Sequence, residues 1–105
     1  MIISTAFEIP GKKTKELLGV VRGNTVRSRH IGRDIMAAVK NIVGGEIKSY
    51  TELLTSSREE ALQRMIEEAK KLKADAVINV RFTTSALMGN AVEMLAYGTA
   101  VKLAG

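Results

Sequence analysis

The 105-residue sequence contains no cysteine, no tryptophan, one proline, one histidine and four aromatic residues. Without cysteine there is no disulfide framework, no thiolate metal site and no cysteine nucleophile. One histidine per chain falls short of the three or four nitrogen, sulfur or carboxylate ligands that a zinc site takes. Catalytic signatures are missing as well: no Ser/His/Asp arrangement, phosphate loop, HExxH or GxGxxG is present, and Ser28 beside His30 is a chance neighbour. We read the chain as a non-enzyme. No window holds the roughly 18 consecutive apolar residues of a membrane span. The opening MIISTAFEIPGKK is interrupted by Glu8 and carries its basic residues after the apolar run, unlike a secretory signal, so a cytoplasmic location is expected.

Hydrophobic residues make up 46% and charged residues 26%, the balance of a globular domain, and the length suits a single domain spanning 1–105. The net charge of +5 is unevenly spread. Residues 1–50 hold nine Lys/Arg against four Asp/Glu, whereas residues 51–105 hold seven of each. If the first half presents one face, that face is basic.

Pro10-Gly11 followed by KKTK marks a turn and a solvated connection. The β-branched stretch ELLGVVRGNTV predicts a strand over about residues 17–27, with Gly19 and Gly23 on the same face as Val21, which suits close approach by another backbone. From Arg33 the period changes: Ile35, Met36, Val39, Ile42 and Val43 mark an amphipathic helix ended by Gly44-Gly45. A second helix is expected from about 48 to 73, with Leu54, Ala61, Leu62, Met65, Ile66, Ala69 and Leu72 as its apolar stripe. Ser56 and Ser57, each three residues before a glutamate, allow a bend or fresh start there. The interleaved Glu and Lys residues of that helix form its solvated face, and the scattered methionines are core fillers.

The last third reads as a hairpin, with strands over 76–87 and 91–103 joined by Gly89-Asn90. A two-residue turn would pair Phe82 with Tyr97, Ile78 with Val101 and Val80 with Thr99, placing Phe82 and Tyr97 in the core. The opposite face, Ala96, Gly98 and Ala100 beside Asn79 and Arg81, is small and suits close packing. A bulge near the turn would shift this register by one. Each arm is about 36 Å long at roughly 3.3 Å per residue, as long as a whole domain of this size, and neither carries proline or many charges. A three-stranded sheet of this kind leaves two long undefended edges, so neighbouring subunits are expected to complete it, most simply in a closed ring. The alternative is a monomer whose long helix covers an edge.

Three stretches, GRDIMAAVKNIVGGEIKSYTELL, REEALQRMIEEAKKLKADAVINVRF and AVEMLAYGTAVKL, together resemble the YbjQ-like family of small bacterial and archaeal proteins, which carries an uncharacterised or a heavy-metal-binding label. The resemblance covers residues 16–103 and is most specific at Gly32-Arg33-Asp34, Gly44-Gly45 to Tyr50, Ala74–Val77 and Ala96–Val101. It implies an α+β fold in strand-helix-helix-strand-strand order and a homopentameric ring. The family pattern has glycine before VRF and an acidic residue after it; this chain has Asn79 and Thr83 there.

GNTVRSRHIGRDI, residues 23–35, concentrates the candidate ligand-binding residues Arg27, Arg29, His30 and Arg33. Backbone N–H groups at a helix start attract anions, so a phosphate-like ligand is one reading. Ion pairing of these arginines with local or neighbouring carboxylates is the reading ranked above it. His30 as a metal ligand ranks lower, because three arginines surround it; no cofactor is implied. Nucleic acid also ranks low: the charge suits it, but recognition signatures are missing. The expectation is a homo-oligomeric binding or scaffold protein, with no membrane partner.

Overall fold

The computed structural model describes residues 1–28, 45–87 and 91–104. The elements are β1 (Ile2–Ile3), β2 (Lys13–Ser28), α1 (Gly45–Lys71), β3 (Ala76–Leu87) and β4 (Ala91–Ala104). They form two layers, one helix on a four-stranded mixed sheet in the order β1-β3-β4-β2. The expected helix over 33–43 and the Gly89-Asn90 turn lie outside the described residues.

Pro10 and Gly11 make the expected turn. Ile9 bridges Lys12, the Lys12 N–H donates to the Ile9 carbonyl at 3.1 Å, and Gly11 takes the left-handed conformation (φ 78°). From there β2 runs for 16 residues. It explains the elongated shape, 57 Å along the longest axis with a radius of gyration of 17.3 Å; a compact chain of this length would be near 13 Å.

Helix α1 seals the sheet through a four-residue stripe. Ser57, Ala61, Met65 and Ala69 are buried at successive i, i+4 positions, facing Val21 of β2, Val77 and Val80 of β3, and Met94, Ala96 and Ala100 of β4. The strand residues below the helix are small for a reason. A Cβ on Gly23 would run into the Ala61 carbonyl and the Met65 amide, so the strand carries glycine where the helix backbone rests on it. The Thr25 hydroxyl donates to the Ser57 carbonyl at 3.2 Å within this contact, satisfying two polar groups that the packing removes from water. Leu54, Leu62 and Ile66 flank the stripe half-buried, and Leu72 at its end is exposed. The helix closes in a Schellman arrangement: the Ala74 N–H donates to the Ala69 carbonyl (3.1 Å), the Lys73 N–H to the Lys70 carbonyl (2.9 Å), and Lys73 is left-handed (φ 60°).

Two sequence expectations need correction. The sheet has four strands, because Ile2 and Ile3 pair in parallel with Ala76 and Val77. The Phe82–Tyr97, Ile78–Val101 and Val80–Thr99 pairs also give way. Leu87 pairs with Ala91, so the loop is longer than two residues, and the ladder runs Phe82↔Ala96, Arg81↔Tyr97, then Ile78↔Thr99 and Ala76↔Val101. Between Ile78 and Arg81 a bulge sets Asn79 and Val80 against Gly98 alone, with Asn79 left-handed at φ 53°. Gly98 permits this, since a Cβ there would sit 2.7 Å from Val77 Cγ1 and 3.2 Å from Val80 Cγ2. Asparagine, like the glycine of the family pattern, tolerates the left-handed backbone.

The shift moves Phe82 and Tyr97 out of the expected core; they are 44% and 39% exposed. The small face, Ala96, Gly98 and Ala100, is the one buried under α1.

Candidate functional site

Of the expected site residues, Arg27 is described; Arg29, His30 and Arg33 lie outside the described residues. Arg27 near the end of β2 gives its Nη2 to Glu60 Oε2 of α1 at 2.6 Å, and Glu60 Oε1 takes Arg64 Nη2 at 2.6 Å. Arg64 Nη1 also donates to the Asn24 carbonyl, and the Asn24 amide donates to Glu93 Oε2 of β4 at 3.1 Å. Arg27 therefore ties strand to helix through a local carboxylate. This arrangement gives it a structural partner in the folded chain, with both side chains more than a third exposed.

The uncovered face of the sheet holds a different set. Antiparallel registers place Arg22 of β2 and Arg81 of β3 on either side of Tyr97 of β4, in one row across three strands. Paired residues share a face, so the three side chains emerge together. The row above is Val20, Thr99 and Ile78; the row below is Asn24, Leu95 and Thr83. Val20, Arg22, Leu95 and Tyr97 line a shallow groove. Arg81 Nη1 donates to the Thr5 and Val80 carbonyls, both at 2.9 Å, which fixes its arm against the N-terminal segment. Arg22 has no hydrogen bond or ion pair among the described residues, and it also borders a groove along β2 with Glu68 of α1 and Leu72 just beyond its end. Sequence reasoning missed this row because it depends on the hairpin register: a two-residue turn would set Phe82 against Tyr97, whereas pairing that starts at Leu87↔Ala91 sets Arg81 there.

A third feature lies at the sheet margins. The whole of β2 is one edge. On the other side β1 covers Ala76 and Val77, and Ser4 and Ala6 extend the cover as far as Val80: the Val80 N–H donates to the Ser4 carbonyl at 3.0 Å and the Asn79 N–H to the Ala6 carbonyl at 2.9 Å. From Arg81 to Leu87, the side of β3 away from β4 borders no strand among the described residues, and every residue of that span is exposed.

Heavy-metal chemistry finds little to hold it. Among the described residues no three His, Asp or Glu side chains gather in a way that would take a metal ion, and the sequence offers no thiolate. The described residues do not fit a soft-metal site.

The fold and its site elements define a small two-layer α+β protein. A family model named YbjQ and described as "Putative heavy-metal-binding" matches residues 1–104. A UPF0145 protein of Archaeoglobus fulgidus is 63% identical over 103 residues, covering 98% of this chain and 95% of the relative. UPF0145 proteins of Thermotoga maritima and Vibrio campbellii are 60% and 57% identical over the same 98% of the chain, covering 97% and 99% of those relatives. The chain belongs to the YbjQ-like, UPF0145 family. A crystal structure of a protein with unknown function of the DUF74 family, from Pediococcus pentosaceus, has the same fold: TM-score 0.67 at 17% identity, covering 99% of this chain and 98% of that one.

Proposed function

We propose that the protein acts as a homo-oligomeric binding or scaffold body, a closed ring formed by edge-to-edge pairing of the sheet, with five subunits as the family resemblance implies. The observation that carries this is a pair of margins that meet no further strand among the described residues, the 16 residues of β2 and the Arg81–Leu87 span of β3. Each presents a row of backbone donors and acceptors that another strand would satisfy.

The direction of the strands selects the kind of assembly. β2 and β3 both run antiparallel to β4, so they are parallel to each other. Rotation about an axis roughly along the strands brings β2 of one copy beside β3 of the next in parallel, and a single repeated contact uses both edges. A two-fold dimer would join β2 to β2 and leave the β3 margins bare. A rotation that closes makes a ring.

Proline replacement tests this. Along an edge strand, alternate residues turn their N–H outward, so one of Thr83 and Thr84 directs its amide away from β4. Of Thr83→Pro and Thr84→Pro, the outward one is expected to reduce the assembly to the 11.4 kDa chain with its helical and strand circular dichroism retained. Assembly unchanged in both variants would contradict edge pairing through β3.

A further inference from the structure

We infer that the Arg22–Tyr97–Arg81 row on the uncovered sheet face is a binding site for a nucleoside-monophosphate-class ligand, a planar heterocycle that carries a phosphate. Three observations meet there. First, two arginines flank one tyrosine in register on the same face, and neither that row nor the flanking rows (Val20, Thr99, Ile78 and Asn24, Leu95, Thr83) include a carboxylate. The carboxylates bordering the patch pair with neither arginine: Glu93 accepts from the Asn24 amide at 3.1 Å, and Glu68 Oε2 lies 3.9 Å from Lys71 Nζ. Neither arginine forms an ion pair among the described residues.

Second, the arginines are held differently. Arg81 is braced by the Thr5 and Val80 carbonyls, which are neutral acceptors and leave its charge uncompensated. Arg22, which has no partner among the described residues, can bring its planar fork onto a phosphate, the geometry in which arginine binds such groups best. Third, Tyr97 is 39% exposed between the apolar side chains of Val20 and Leu95 in the groove. A phenol ring open to solvent with apolar shoulders offers a stacking surface to a flat ring, and arginine beside it adds cation–π attraction. Phosphate alone would use the arginines and leave the aromatic platform idle; an uncharged ring would do the reverse.

Arg81 stands opposite Tyr97 through the hairpin register that runs unbroken from Leu87↔Ala91, and the Asn79–Val80 bulge adjoins the row. A left-handed non-glycine residue is a cost that the fold retains next to this site. All three side chains come from one chain, so the site draws on no neighbouring subunit.

Calorimetric and NMR titrations of the full chain at low ionic strength with adenosine monophosphate, inorganic phosphate and adenosine test the assignment. Saturable binding of the monophosphate is expected, with the Arg22 and Arg81 side-chain N–H and Tyr97 amide signals moving. Phosphate and adenosine should each bind at least about tenfold more weakly. Arg22→Ala should weaken monophosphate binding at least about tenfold with an unchanged circular dichroism spectrum, and Arg22→Lys should restore part of it. Tyr97→Leu should abolish the preference for the monophosphate over phosphate. Absence of saturable monophosphate binding at millimolar concentration would overturn the proposal, as would undiminished binding in Arg22→Ala. Phosphate binding as tightly as the monophosphate would overturn the nucleoside part.

Discussion

The two faces of the sheet are built on opposite size rules. Under α1 lie glycine, alanine and single medium side chains: Gly23, Ala96, Gly98 and Ala100 make the floor, and Met65 descends into it. On the open face stand the larger groups, with Leu17 71%, Val20 66% and Tyr97 39% exposed. A helix backbone resting directly on a strand leaves no room for long side chains below it. The core therefore gains its burial from close approach, and bulk is displaced to the other side. Under the helix, burial is recognised by smallness; on the opposite face Ile78 and Val101 are buried at one end, where Ile9 and Leu103 pack against them.

Substitutions that add or remove volume break this comparison most sharply on the helix side. Gly23→Val sets a branched side chain into the α1 backbone and is expected to cost about 3 kcal/mol or more. Gly23→Ala supplies a milder version should the valine variant fail to fold, and urea unfolding measures both. Met65→Ala, from a fully buried site, should cost about 3 kcal/mol through lost burial and a residual cavity. Asn79→Val imposes a β-branched residue on a left-handed backbone and should cost about 2 kcal/mol. Asn79→Gly should be neutral or stabilising by the same measurement. Lys73→Gly relieves the left-handed residue at the helix end and should stabilise by about 0.5–1 kcal/mol. On the open face, Val20→Ala should stay within about 0.5 kcal/mol. An equal loss at Val20 and Met65 would end the distinction between the faces.

Much of this architecture was legible in the residues themselves. Periodicity located the three long strands and the long helix to within a few residues, Gly23 signalled a close backbone approach, and the small Ala96-Gly98-Ala100 face announced close packing. Other parts were hidden for physical reasons. Ile2 and Ile3 are too short a run to show a period, and their partners lie more than 70 residues away in the chain. The hairpin register depends on the length of the connection, and Leu87 pairing with Ala91 moves every pair by one from a two-residue turn; hence Phe82 and Tyr97 were expected inside. The Arg22–Tyr97–Arg81 row was illegible for the same reason. At the arginine cluster, ion pairing was foreseeable as a type of contact, but Glu60 as the partner of Arg27 required the helix to be laid against β2.

The edges and the open face lead to one quantity, the mass of the particle in solution. Native mass spectrometry of the untagged protein at low micromolar concentration measures it directly. A single closed species containing several copies of the 11.4 kDa chain, five by the family resemblance, is the predicted result. A well-folded population consisting of the lone chain would contradict the account, because the margins of β2 and β3 would then stand bare in water without consequence.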